Sequence, residues 1–412
     1  MELVIEKYKQ TEVGLIPNDW VVKRLSDLGK FSKGAGIRKD EALSGEIPCV
    51  RYGELYTRHN DYIKQFYSFI SKDISETAKK LKRGDILFAG SGETKEEIGK
   101  SVAFVNCFEA YAGGDIVILS PTKAEPLYLG YLLNAPFIQK QKASRGQGDA
   151  VVHISATQLG NISIPLPSTL EEQSAISTAL SDADNLIIEL EKLIAKKRNI
   201  KLCAMIKLLQ PKEDWEIKPF KDLCWFQEGP GLRNWQFTKR GIKVINVTNL
   251  ENGLLNLDRT DRHISLEEFH KMYEHFEIDE NDIVVASSGN SYGKVAVVKK
   301  QDLPLLMNTS VIRFKPLSSL DYNFLLTYLK SSQFKNQIDL LITGGAQPNF
   351  GPVHLNKITI NMPPTKEEQT KIASVLLDMD NEILVLETKL EKYKSIKQGM
   401  MQNLLTGKIR LV

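Results

Sequence analysis

The feature that most constrains this chain is that it is written twice. Residues 164–173 read IPLPSTLEEQ, and residues 360–369 read INMPPTKEEQ. Glu171, Glu172 and Gln173 recur 196 residues later as Glu367, Glu368 and Gln369. The same offset pairs Ile176 with Ile372, Asp182 with Asp378, Asp184 with Asp380 and Asn185 with Asn381, and it runs without a gap to Leu208-Leu209 and Leu404-Leu405. Upstream, with small shifts, Asp19-Trp20 matches Asp214-Trp215, and Gly34, Gly36 and Arg38 match Gly229, Gly231 and Arg233. Ser91-Gly92 matches Ser288-Gly289. A collinear series of this length is a duplication, so one architecture must serve both halves.

Each copy ends in a helical pattern. Ile176, Leu180, Ala183, Ile187, Leu190 and Ile194 are spaced alternately four and three apart. Ile372, Leu376, Met379, Ile383, Leu386, Leu390 and Tyr393 repeat that spacing. This is an a/d seam of period 3.5. Ser168 or Thr169, and Thr365, can cap these helices, with paired glutamates in the first turn facing the positive end of the dipole. One apolar stripe reads as a core-facing helix; two equivalent stripes on one chain are natural partners. The first helix leaves one globular part and arrives at the next, and by equivalence the second runs back. The expected pair is therefore antiparallel, with a pseudo-two-fold axis.

The globular parts read as mixed sheet and helix. Predicted strands are 85–89, 102–105 and 115–119, then 282–286, 295–298 and 311–314, all short, β-branched and bounded by turn residues. Residues 127–140 and 321–337 are predicted helices. The expected class is α+β: two globular domains at 1–168 and 211–364, joined by a long antiparallel two-helix coiled coil formed by 169–210 and 365–412.

Composition excludes several classes. Of 412 residues, 54 are Lys or Arg and 51 Asp or Glu, so any nucleic-acid face must come from local clustering of charge. Cys49, Cys107, Cys203 and Cys224 are far apart, which argues against a zinc site or a disulfide framework. The start, MELVIEKYKQ, lacks a signal-peptide pattern, and no apolar run reaches membrane-spanning length. The expectation is a reduced, cytoplasmic protein.

Catalytic motifs fail on inspection. Gly99-Lys100-Ser101 lacks the upstream glycine of a phosphate loop, since position 94 is Thr. His270 and His275 do not form HExxH, and Asn361-Met362-Pro363-Pro364 departs from the Asn-Pro-Pro-aromatic motif of amino-methyltransferases. Neither a nucleophile elbow nor a dinucleotide fingerprint is present. No catalytic or metal-ligating residue is nominated.

The loops offer polar readers instead. Lys33 to Arg38 and Glu228 to Trp235 are equivalent Gly-rich segments, where glycines could let the backbone approach a phosphate and the arginine reach a guanine edge. Arg51 and Glu54 stand where Asn246 and Asn249 stand, and Arg145-Gly146-Gln147-Gly148 leads to His153 as Gly344 to Gln347 leads to Asn349. Scaffold positions match while loop positions exchange among side chains that read base edges. The candidates in the first copy are Lys33, Arg38, Arg51, Ser91, Lys95, Lys100, Arg145, Gln147 and His153. Those in the second are Arg233, Asn234, Asn246, Asn249, Asn290, Ser291, Tyr292, Lys294, Gln347 and Asn349.

With these residues in view, the whole chain resembles the specificity subunit of a type I restriction–modification system. The resemblance rests on Gly14 to Trp20, Gly84 to Phe88, Ile164 to Pro167 followed by Glu171-Glu172-Gln173, Gln347-Pro348-Asn349, and Leu404 to Arg410. The first copy departs from the pattern, with Val151-Val152-His153 in place of Gln347-Pro348-Asn349. The resemblance implies a non-catalytic subunit that reads double-stranded DNA and assembles with methyltransferase and restriction subunits. S-adenosylmethionine, ATP and Mg²⁺ would belong to those partners. The rival readings are a stand-alone nuclease or methyltransferase, and a coiled-coil scaffold binding only protein.

Overall fold

The computed structural model describes residues 7–148, 151–342 and 348–411. The chain forms two compact units, residues 1–191 with 388–412, and residues 192–387. The long helices span Leu170–Leu208 and Lys366–Leu404. Each unit therefore holds one domain, the first half of one long helix and the last half of the other.

In the first unit an antiparallel sheet has the order Ser101–Ala103, Ile86–Ala89, Ile116–Pro121, Gly29–Lys33. Ile86–Ala89 is buried throughout, which is why its sequence, ILFA, has no polar alternation. Side chains still alternate between faces. Ile86 and Phe88 join the core with Tyr128, Leu129 and Ile138 of the helices. Leu87 and Ala89 join Val50, Val102 and Ile118 in the core toward a second sheet. In that sheet Tyr111–Ala112 lies parallel to Ile47–Val50.

The second unit repeats this plan. Its sheet order is Cys224–Glu228, Val311–Pro316, Ile283–Ala286, Val295–Val297, and Leu305–Met307 lies parallel to Ile242–Ile245. Ile283 and Val285 face one core, Val284 and Ala286 the other.

Two predicted helices are broken in two. In place of 127–140 stand Pro126–Leu132 and Pro136–Arg145, because Pro136 holds Ala135 in an extended conformation. In place of 321–337 stand Tyr322–Leu329 and Ser332–Leu341, where the Ser331 hydroxyl accepts from the Phe334 amide and restarts the helix. The second long helix stops at Leu404 rather than running to 412. Gly407 then turns the chain at φ +70°, so close to Pro17 and Trp20 that a Cβ would clash.

The matched motifs form a clamp. In each domain a strand near its start pairs with the last just before the long helix: Val21–Arg24 with Ser163–Leu166, and Glu216–Pro219 with Thr359–Met362. The Trp20 indole donates to Glu172 at 3.3 Å, and the Trp215 indole to Glu368 at 3.4 Å. The buried Gln173 amide oxygen accepts from the Glu125 backbone at 2.9 Å, and Gln369 from Asp321 at 2.8 Å. These two bonds fix each long helix to the start of a domain helix, since a buried amide left unpaired would be costly.

Ion pairs tie the helix segments within each unit. In the first, Lys397 meets Asp184 at 2.7 Å and Lys394 meets Glu191 at 3.3 Å. In the second, Lys201 meets Asp380, and Arg198 meets Glu387 at 2.6 Å. As one partner's number rises the other's falls, so both pairs of segments run antiparallel. Ile176, Leu180, Leu190, Ile194, Ile372, Leu376, Ile383 and Leu390 are buried, while Ala183, Ile187, Met379, Leu386 and Tyr393 are half-buried. Among the described residues no helix is long and apolar enough to cross a membrane.

Candidate nucleic-acid interface

Four candidates meet in one cleft of the first domain, of about 740 Å³, lined by Lys33, Ser91, Gln147 and His153. Strand pairing brings them there. Val152–His153 lies antiparallel to Ser91–Gly92, and Gln147 exchanges backbone hydrogen bonds of 2.9 and 2.8 Å with His153. The His153 Nδ1 and Ser91 hydroxyl are 3.0 Å apart. Next to them the Ile154 amide donates to Gly90 at 2.9 Å. The second domain builds the same frame: Asn349 bridges Ser288, and the Phe350 amide donates to Ser287 at 3.0 Å. Asn349 therefore takes the place of His153. Gln347 lies outside the described residues. Asn290 falls in the turn Gly289–Ser291, Ser291 is half-buried and Lys294 is exposed. Tyr292 is not free, since its hydroxyl donates to Asp339 at 2.8 Å and burial pushes its ionisation above the usual tyrosine range.

A second cleft in the first domain, about 560 Å³, is lined by Lys39, Arg51, Tyr52, Glu54, Arg58 and Tyr67, among others. The Arg51 amide donates to the buried Glu54 at 3.0 Å, capping the helix Tyr52–Thr57. Glu54 also accepts from Ser68. The Arg51 guanidinium stays 3.8 Å from Glu54, and its Nε has no hydrogen-bond partner. The Arg58 guanidinium lies 5.0 Å over the Tyr67 ring. Burial holds the neighbouring His59 below the usual histidine range, so it adds no charge there at neutral pH.

The equivalent cap in the second domain corrects one expectation. The Asn246 amide donates to Asn249 at 2.9 Å, just as Arg51 does to Glu54. Asn249 is fully buried, donating to the Asn256 carbonyl at 2.9 Å and accepting from Thr260 at 3.2 Å. A side chain with both ends satisfied inside the domain holds the turn and presents nothing to a ligand. Asn246 is half-buried, and its oxygen accepts from Thr248.

The remaining candidates divide. Arg38, Lys95, Arg233 and Asn234 are exposed. Arg145 turns back on its own domain, donating to the Gln141 and Asn161 carbonyls at 2.9 and 3.3 Å. Lys100 is half-buried away from both clefts, and burial pulls its ammonium below the usual lysine range. The first glycine of each Gly-rich segment serves packing. A Cβ on Gly34 would lie 1.9 Å from the Gly113 carbonyl, and one on Gly229 2.3 Å from that of Asn308. These glycines let two backbones of one domain touch. Sequence reasoning passed over Arg58, Tyr52 and Trp235. Their one signal is the chemistry of cations and aromatics beside nominated loops, because none of them recurs in the other copy.

One frame is thus built twice, with different side chains at its rim. The profile of the family described as "Type I restriction modification DNA specificity domain" matches residues 17–201 and again 212–398. The type I restriction enzyme MjaVIII specificity subunit of Methanocaldococcus jannaschii is 29% identical over 434 residues, covering 98% of this chain and 96% of that protein. Among solved structures, the S subunit of a type I system from M. genitalium shares the fold with a TM-score of 0.58 at 16% identity, covering 93% of this chain and 96% of that one. A structure concerned with complex assembly and conformational transition of the type I system gives 0.59 at 16%, covering 96% and 99%. The chain belongs to this family, as a specificity subunit of a type I restriction–modification system.

Proposed function

We propose that each domain reads one half of a bipartite double-stranded DNA target, while the two long helices act as one antiparallel coiled coil that sets the gap. Methyltransferase subunits dock on those helices, and restriction subunits join that core. The chain itself is non-catalytic and works in the cytoplasm; S-adenosylmethionine, ATP and Mg²⁺ serve its partners. The bounds at 168 and 364 mark where reading gives way to spacing, and the bound at 210 where spacing gives way to reading.

The observation that carries this reading is the matched frame at Ser91/His153 and Ser288/Asn349, one register with different side chains. The ion pairs support the coiled coil. Lys397–Asp184 and Lys201–Asp380 are the same pair one repeat apart, as are Lys394–Glu191 and Arg198–Glu387. Reciprocal contacts of this kind are what a two-fold pairing of equivalent helices produces.

Deleting one heptad from each helix, residues 185–191 and 381–387, spares Asp184 and Asp380 and keeps the seam in register. It removes about 10 Å at about 1.5 Å per residue, close to three base pairs. Selection from DNA with randomised spacers, using the complex with its methyltransferase subunits, should return the same half-sites with a shorter gap. An unchanged gap at full affinity would refute the ruler.

A further inference from the structure

We infer that Trp235 is a DNA wedge peculiar to the second domain, its indole entering a base-pair step of that domain's half-site. The inference rests on the DNA-reading assignment and deepens it. Trp20 and Trp215 are buried in the clamps, whereas Trp235 is 80% exposed. Its exposure does not come from a loose loop. It sits in the middle of the turn Asn234–Gln236, which is anchored on both sides. Before the turn, Leu232 is buried with Ile242, Ile264 and Phe269. At its end the buried Gln236 accepts from the Arg233 amide at 2.8 Å and donates to Glu268 and to Tyr273, the latter at 3.0 Å.

The first domain shows that the turn does not need an aromatic ring. There Arg38 donates its amide to Glu41 at 2.7 Å, the same cap one repeat earlier. The residue in the place of Trp235 is Asp40, also exposed. The second domain thus adds an indole to a shared scaffold, and the indole contributes nothing to that domain's core.

Its surroundings choose the occupant. Arg233 and Asn234 precede it on the same turn, both exposed. Arg262 lies 5.0 Å over the ring of Phe237, two residues on. An apolar ring flanked by cations suits a surface that is anionic outside and stacked inside. Proteins that kink duplexes use such wedges, unstacking a step while basic residues hold the phosphates.

The test uses the full chain assembled with its methyltransferase subunits, and duplexes of its mapped target carrying 2-aminopurine at successive positions. Wild-type binding should raise fluorescence at one step of one half-site, reporting unstacking there. Trp235→Ala should abolish that rise and weaken binding about tenfold or more, the scale of one base–aromatic stack. Trp235→Phe should keep part of both effects, and Asp40→Ala should change neither. Unaltered affinity and fluorescence in Trp235→Ala would overturn the wedge while leaving sequence reading intact. Loss of subunit assembly at unchanged DNA affinity would also overturn it, in favour of a protein contact. Absence of sequence-selective binding by the wild-type complex would instead sink the reading on which the wedge rests.

Discussion

The two domains agree in backbone and disagree about where they bury charge. In the first, Lys142 is fully buried as the seventh residue of its helix; in the second, the seventh residue of the equivalent helix is Ile338. The reverse holds on the central strand. Ile118, third in Ile116–Pro121, is replaced by Arg313, third in Val311–Pro316. Each opposes equivalent neighbours: Leu87 and Ser32 for Ile118, Val284 and Gln227 for Arg313. The same register thus tolerates a cation or an aliphatic side chain at either place. Strand pairing and the clamps fix this fold, and the core adapts its polarity around them.

The two buried cations differ in how they are compensated. Arg313 donates to Gln227 at 2.9 Å, to Asp282 at 3.3 Å and to the carbonyls of Glu277 and His275, and it lies 4.8 Å from the Trp225 ring. Lys142 donates to the Gly99 carbonyl at 2.7 Å. Burial, and then the charge of Lys100, pull it well below the usual lysine range. The largest expected effect follows. Arg313→Ala removes one of the two cations on the buried Asp282, leaving Lys315 at 3.3 Å, and strips the partners of Gln227 and two carbonyls, so it should cost about 3 kcal/mol in the unfolding of the second domain. Lys142→Ile should act in the opposite sense, stabilising the first domain by about 1–3 kcal/mol. Chemical denaturation of both variants decides this. A destabilised Lys142→Ile or a silent Arg313→Ala would break the comparison.

The Lys142 prediction has a pH signature. The unfolded chain keeps that proton up to the ordinary lysine value of 10.5, whereas the folded domain gives it up at lower pH. Between those two values the unfolded state binds more protons, so wild-type stability rises with pH and levels off above 10.5. Lys142→Ile should lose that rise. An unchanged slope in the variant would mean that Lys142 does not titrate abnormally.

The clamps sharpen the comparison with a smaller effect. Arg410 grips both Asp19, at 2.8 and 2.9 Å, and the buried Glu172, and lies 5.8 Å over the Trp20 ring. Lys212 is the corresponding cation on Glu368 and is largely exposed. Arg410→Ala should therefore destabilise the first unit by about 1 kcal/mol after solvent screening, and Lys212→Ala should change the second unit less. Equal effects in thermal melts would show that the two clamps carry equal weight.

The clamp and the seam explain why so much of the fold was legible. Trp20, Glu172 and Gln173 recur because each makes a hydrogen bond that the duplicated frame needs, so repetition marks structure. The helix breaks at Pro136 and Ser331 were less visible, because an apolar pattern continues across both while one backbone constraint interrupts it. Repetition was a weaker guide to the site. Asn249 matched Glu54 in position and proved to be a buried cap, and Gly34 and Gly229 matched because two backbones touch there. Trp235 and Arg58 carry exposed chemistry and match nothing in the other copy. Duplication therefore marks the residues that hold the frame and is silent about exposed side chains that differ between the copies.

The central claim is that one frame reads two half-sites through different side chains. Mapping methylated sequences in cells carrying the complete system tests it most directly, with the wild-type chain, with His153→Ala and with Asn349→Ala. The account predicts a bipartite motif, relaxed in one half by His153→Ala and in the other half by Asn349→Ala, with the gap unchanged in both. A continuous motif, or the same half altered by both substitutions, would contradict it.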